Sequence, residues 1–136
     1  MPERHVIETG VLLVGEDVSR LTEISRQFDP TTHATTTSET GQSLRYLLHP
    51  HSTEPGAIIL ALNGRENVAD LSALLERYPE TVFLFLAPDF PPRAAISRVV
   101  ARNAAAILRL SESPAVIAAT LIALQFQKQP PGSHHV

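Results

Sequence analysis

Glu16 and Asp17 stand side by side just past the apolar run Val11-Leu-Leu-Val14 and Gly15, and they are the first candidates for chemistry in this chain. Adjacent acids can help to hold a hard divalent cation, which takes an octahedral shell of oxygens that includes one or two carboxylates. Asp17 is also placed to cap the helix that follows, because a carboxylate beside a helix N-terminus meets free N–H groups and the positive end of the dipole. Capping is the favoured reading. His49 and His51 flank Pro50 in a loop, and His134 and His135 lie in the C-terminal tail. Two histidines one residue apart could chelate a metal, but no third ligand accompanies them, so solvated loop histidines are expected. Ser25, Ser43 and Ser97 each fall inside a helical pattern, where capping and packing explain them, and no nucleophile–base pair emerges. A Walker A loop, a Gly-x-Gly-x-x-Gly turn and a Gly-x-Ser-x-Gly elbow are all missing from the sequence. These residues predict neither an enzyme nor a resident cofactor or metal.

The elements that would position Glu16 and Asp17 follow from the apolar pattern. Ala57 to Asn63, opened by Pro55-Gly56 and closed by Gly64, is a short apolar run that reads as a strand buried on both faces. Val11–Val14 and Val82–Leu86 read the same way, Ala105–Leu108 more weakly, and the Thr-rich stretch His33–Thr37 suits an edge strand. Between them, apolar residues recur at three and four: Leu21, Ile24 and Phe28 in a helix from about Ser19, and Leu44, Leu47 and Leu48 in one from Gln42. Val68, Leu71, Leu74 and Leu75 mark a third over Asn67–Tyr78, and Ile96, Val99 and Val100 a fourth from Pro92 to Arg102. Ser113-Pro114 supplies an N-cap and a first-turn proline for a last helix to Gln127. Strands alternating with helices predict an α/β fold: a flavodoxin-like, doubly wound, five-stranded parallel sheet in the order 2-1-3-4-5, with five helices. Residues 1–9 are expected to be an N-terminal tail, 10–127 the domain, and 128–136 a Pro-rich tail or linker.

Composition narrows the function. The chain has 136 residues, 43% hydrophobic and 18% charged, as in a single globular domain. A net charge of −3 argues against direct nucleic-acid binding. The lack of cysteine removes disulfides and thiol chemistry and fits a cytoplasmic protein. No apolar run approaches the roughly 20 residues that span a bilayer, so no membrane partner is expected.

Val-Leu-Leu-Val-Gly-Glu-Asp at the first strand, Pro-Gly-Ala-Ile-Ile-Leu-Ala-Leu-Asn at the third and Asn103-Ala-Ala-Ala-Ile-Leu108 leading into the fifth are similar to segments of response-regulator receiver domains. The resemblance covers residues 10–127 or nearly so, and matches spacing and order better than identity. In that family a magnesium ion held by an acidic pair assists phosphoryl transfer to an aspartate, and a hydroxyl and a lysine contact the phosphoryl oxygens. Phosphoryl transfer needs that oxygen nucleophile and that positive charge. In this chain the phospho-accepting position aligns with Ala61, the hydroxyl position with Leu86 followed by Ala87, and the lysine position with Leu110, beside Arg109. Ile107 stands where the family often carries an aromatic switch residue. The acidic pair becomes Gly15-Glu16 or Glu16-Asp17, according to whether the strand end or the helix pattern sets the alignment. The chain therefore resembles a degenerate receiver, a pseudo-receiver whose vestigial pocket is Gly15, Glu16, Asp17, Ala61, Leu86, Ala87 and Leu110.

The last two helices suggest a partner surface. Pro114–Gln127 contains no charged residue; Ile117, Leu121 and Leu124 form an inner stripe, leaving Val116, Ala119, Ile122, Ala123 and Phe126 elsewhere. Arg98 and Arg102 lie one turn apart on the fourth helix, with Arg93 before them and Arg109 on the fifth strand. The resemblance implies that this face of fourth helix, fifth strand and fifth helix binds a protein partner or a second copy. The competing reading is that the alanines let the helix pack closely on its own sheet and the arginines are solvated. The function expected is a non-catalytic, phosphorylation-independent interaction module in signal transduction or transcriptional regulation. The alternative is a small-molecule sensor or enzyme on the same scaffold, using the crevice beside Gly15, Ala61 and Ala87.

Overall fold

Five short segments with strand character align side by side in a computed structural model that describes residues 10–28, 34–37, 56–64, 66–88, 92–103 and 105–128. They are β1 (Val11–Val14), β2 (Ala34–Thr37), β3 (Ala57–Ala61), β4 (Val82–Ala87) and β5 (Ala106–Arg109). All pairings are parallel, and the sheet order is β2-β1-β3-β4-β5. Among the described residues there are four helices: α1 (Val18–Ser25), α2 (Val68–Arg77), α3 (Ala94–Arg102) and α4 (Pro114–Lys128). The helix expected over Gln42–Leu48, the histidines His49, His51, His134 and His135, and Ser43 lie outside the described residues.

Two apolar layers sandwich the sheet, as continuous apolar strands require. Leu13, Ile59, Ala61, Leu84 and Leu86 point towards Leu21 and Ile24 of α1 and Ile117 and Leu121 of α4. Ile58, Leu60, Phe83 and Phe85 point the other way, towards Leu71 and Leu74 of α2 and Ile96 and Val99 of α3. The rings of Phe83 and Phe85, two residues apart on the same face, stack nearly parallel with centroids 6.0 Å apart. Each fully buried aliphatic side chain contributes about 1.5–3 kcal/mol, so the helices are held to the sheet mainly by these stripes.

Local chemistry sets the element ends. Asp17 caps α1 by accepting from the Arg20 N–H at 3.1 Å. Asn67 caps α2 by accepting from Ala69 at 2.8 Å and Asp70 at 3.2 Å. Ser113 caps α4 through its hydroxyl, 3.2 Å from the Val116 N–H, with Pro114 as the first helical residue.

Several boundaries differ from the sequence expectation, each for a visible reason. α1 stops at Ser25 instead of Phe28, because Gln27 and Phe28 donate three residues back, to Ile24 and Ser25, and tighten the chain into a turn. α2 is shorter by one residue at each end, its capping positions being Asn67 and Tyr78. α3 begins at Ala94 and not at Pro92, since Arg93 is extended, with φ −54° and ψ 144°. β3 ends at Ala61 and not at Asn63, because the Glu66 carboxylate takes the N–H groups that would have continued the ladder. β4 runs on to Ala87, whose carbonyl accepts from Leu110 at 2.9 Å, and β5 is shifted by one residue. Lys128, assigned by pattern to the tail, belongs to α4: helix formers continue to that point, and only the residue before Pro130 disfavours the helix.

Candidate functional site

β1 and β3 are adjacent, and their C-terminal tips meet under the N-terminus of α1. Glu16, Asp17, Arg20, Leu21, Ala61, Leu62, Asn63, Pro88 and Leu110 line a cleft of about 240 Å³ there. The structure thus brings Glu16, Asp17, Ala61 and Leu110 together, from three separate parts of the sequence. Gly15, Leu86 and Ala87 do not line it. Gly15 lies against Ala61 so closely that a Cβ added to it would stand 2.8 Å from the Ala61 Cβ and 3.3 Å from Leu21 Cδ1. Leu86 is the register partner of Ala61 and is fully buried, and Ala87 pairs with Arg109. Ala61 itself is only 7% exposed.

The two acids are exposed and already engaged with protein donors. Asp17 caps α1, and Glu16 Oε2 accepts from Asn63 Nδ2 at 3.2 Å. Magnesium demands near-ideal octahedral geometry around oxygen ligands. At each acid one carboxylate oxygen is taken up by these hydrogen bonds. No group of three or more metal-ligating side chains gathers anywhere among the described residues.

The β3–α2 loop has a charge of its own that sequence reading missed. The Glu66 side chain, in a residue only 7% exposed, accepts from the Asn63 N–H at 2.6 Å and the Gly64 N–H at 3.1 Å. Gly64 has φ +88°, a conformation that glycine adopts without steric penalty, and this turns the loop back on the carboxylate. The carbonyl of Glu66 in turn accepts from Arg93 Nη2 at 2.8 Å. Arg93, expected one turn behind Arg98 on the partner rim, is therefore drawn to the strand-tip loop. Glu66→Ala should cost about 1–3 kcal/mol by stranding two backbone donors. Glu66→Gln, which keeps an acceptor oxygen, should cost less. Urea midpoints of the two variants give the comparison.

Arg20 is the second residue that sequence reading missed. It lines the cleft from α1 and reaches the loop after β5, donating to the Leu110 carbonyl from Nε at 3.0 Å and from Nη2 at 2.9 Å. No local pattern could pair residues 90 positions apart.

The expected partner residues lie around the β5 edge of the sheet, on elements from both of its faces. Arg98 and Arg102 are exposed on α3, and Arg109 at the end of β5. On α4, Ile117, Ala118 and Leu121 are buried, whereas Ala115, Ala119 and Ala123 are exposed, with Val116 at 44% and Phe126 at 40%. Ile122 is half-buried at the margin. Of these alanines only Ala118 serves close packing on the sheet. The outer face of α4 is thus an apolar, uncharged stripe from Ala115 to Phe126. No helix among the described residues is long and apolar enough to cross a membrane. Ser25 donates to the Thr22 carbonyl at 2.7 Å within α1, and Ser97 lies within α3.

No family model matches the chain, and no curated protein matches it. Solved structures do. The signal receiver domain of an HD domain-containing protein from Pseudomonas fluorescens superposes with a TM-score of 0.69 at 17% identity, over 99% of this chain and 97% of that one. An adenylate cyclase structure from Rhodopirellula baltica matches with a TM-score of 0.69 at 20% identity, over 90% and 91% of the two chains. The BeF3-activated DrrB receiver domain matches with a TM-score of 0.64 at 13% identity, over 87% and 97%. A parallel α/β sheet with helices on both faces, and this likeness, give the chain the flavodoxin-like fold of response-regulator receiver domains.

Proposed function

We propose that this domain is a receiver-like protein-interaction module in signal transduction or transcriptional regulation, non-catalytic and independent of phosphorylation. One observation carries the reading: the tip of β3, where the resemblance places the phospho-acceptor, is a buried alanine against Gly15, Leu21 and Leu86. A phosphoryl group needs an oxygen nucleophile and nearby positive charge. Here the hydroxyl position is Leu86 and the lysine position Leu110, so the pseudo-receiver reading rests on three losses at once. The order β2-β1-β3-β4-β5 is the arrangement that a receiver reading calls for. Incubation with acetyl phosphate and magnesium should leave the mass unchanged; a stable gain of one phosphoryl group on a carboxylate would overturn the proposal.

The proposed output is a protein partner or a homodimer, through the face formed by α3, β5 and α4. An apolar centre with a polar, arginine-bearing rim is the usual anatomy of an interface. Its centre would be Val116, Ala119, Ile122, Ala123 and Phe126, and its rim Arg98, Arg102 and Arg109. Light scattering should give a dimer for the wild type and a monomer of unchanged thermal stability for Val116→Arg, whose site is exposed. A monomer in both removes the homodimer. A cytoplasmic setting, without cofactor, membrane or direct nucleic-acid contact, belongs to the same proposal.

The second reading, a small-molecule sensor, is favoured by a hollow of about 380 Å³ at the opposite edge of the sheet, lined by Tyr78, Thr81, Phe83, Asn103 and Leu124 among others. That volume falls within the range of ligand pockets, whereas the strand-tip cleft falls below it. A thermal-shift screen with nucleotides and flavins separates the readings, since a ligand of the folded state raises its apparent stability.

A further inference from the structure

The guanidinium of Arg20 ties two sides of the strand-tip cleft together, since both Arg20 and Leu110 line it. It leaves α1, passes the cleft and ends on the loop between β5 and α4, where Nε and Nη2 both donate to the Leu110 carbonyl, at 3.0 and 2.9 Å. Nη2 also donates to the Glu112 carbonyl. The side chain is only 18% exposed. Its ion pair to Glu23 Oε1, at 3.5 Å, is with a largely exposed carboxylate and contributes little. The donors of Arg20 are therefore spent chiefly on backbone oxygens of one loop.

That loop has few other ties. The Leu110 N–H donates to the Ala87 carbonyl at 2.9 Å, so one polar group of Leu110 is held by β4 and the other by α1. Glu112 N–H donates to the Arg109 carbonyl at 3.1 Å, and Ser113 then launches α4. Without Arg20 the carbonyls of Leu110 and Glu112 would both lose a charged donor at the point where α4 starts.

We propose that Arg20 is a built-in latch, fixing the β5–α4 loop across the cleft so that the placement of α4 is set by a resident charge and not by a ligand. Arginine keeps its charge at all ordinary pH values, so the latch is permanent. Only its consequence for binding rests on the proposed partner face of α4; the latch itself does not.

Hydrogen exchange at a protein concentration where the chain is monomeric tests it. Arg20→Met keeps the apolar stem and removes every donor. Amides from Leu110 to Ile117 should then exchange about tenfold faster or more, while those of β3 and β4 keep their protection. Arg20→Lys should restore part of the loop protection, since one ammonium can reach one carbonyl but lacks the planar fork. Unchanged loop protection in Arg20→Met, or an equal loss throughout the sheet, would overturn the latch. Should the Met variant fail to fold, the wild type still decides: a slowly exchanging Arg20 Nε–H supports the latch, and one exchanging at the solvent rate overturns it. Loop exchange alone judges the latch and light scattering alone judges the dimer, so the two failures are distinguishable.

Discussion

Ala61→Asp should destabilise the domain by about 3–5 kcal/mol and should not confer phosphorylation. The new carboxylate would start from a Cβ pressed between Gly15 and the fully buried Leu86, with Leu21 close by. The groups opening onto the same cleft include Glu16 and Asp17, which repel it. Arg20 is also there, but its donors are committed to Leu110 and Glu112, and drawing it away would strand those carbonyls. A buried charge without a free partner is expensive, whereas the nearly isosteric Ala61→Asn carries no charge and should lose only about 1–3 kcal/mol. Urea unfolding ranks the two variants, and mass spectrometry after acetyl phosphate treatment reads the chemistry. Phosphorylation recovered in Ala61→Asp alone would show that the pocket is dormant and not converted to core.

Gly15→Ala is expected to cost about 1–3 kcal/mol, by overpacking. The added methyl would lie 2.8 Å from the Ala61 Cβ, nearer than non-bonded carbons approach, and 3.3 Å from Leu21 Cδ1. Leu21 can shift at the end of a flexible side chain; Ala61 Cβ is fixed to the central strand and cannot. The pair Gly15→Ala with Ala61→Gly should therefore recover much of the loss, with a coupling energy of roughly 0.5–3 kcal/mol in a double-mutant cycle. Strict additivity would mean that β1 and β3 do not close on each other here. The consequence reaches the site's chemistry: a glycine just past β1 and an alanine at the end of β3 fill one space between them, so adding a side chain at either position alone creates a clash or a buried charge.

Much of the scaffold was legible before any coordinates, for a local reason. Continuous apolar runs such as Ala57–Asn63 and Val82–Leu86 can be buried on both faces only in a sheet covered by helices, and the three-and-four spacing of Leu71, Leu74 and Leu75 names the covering face. Asp17 and Ser113-Pro114 announced helix starts because capping is chemistry between near neighbours. The errors came through side chains: the Asn63 N–H turns to the Glu66 carboxylate where β3 ends early, and Arg93, extended ahead of α3, bonds to the Glu66 carbonyl 27 residues away.

The site divides differently. Sequence alone determined that Ala61, Leu86 and Leu110 carry no nucleophile, hydroxyl or cation, whatever their surroundings. It also determined that the stretch Pro114–Gln127 lacks charge. Only the tertiary structure decided that Gly15 and Ala61 share one space, that Ala119 and Ala123 face outwards while Ala118 packs inwards, and that Arg20 crosses the cleft to Leu110. The reason is physical. Side-chain identity and helical or strand period are properties of neighbouring residues, whereas a contact across 90 positions exists only once burial of the two apolar layers has placed β1, β3 and β5 in one sheet.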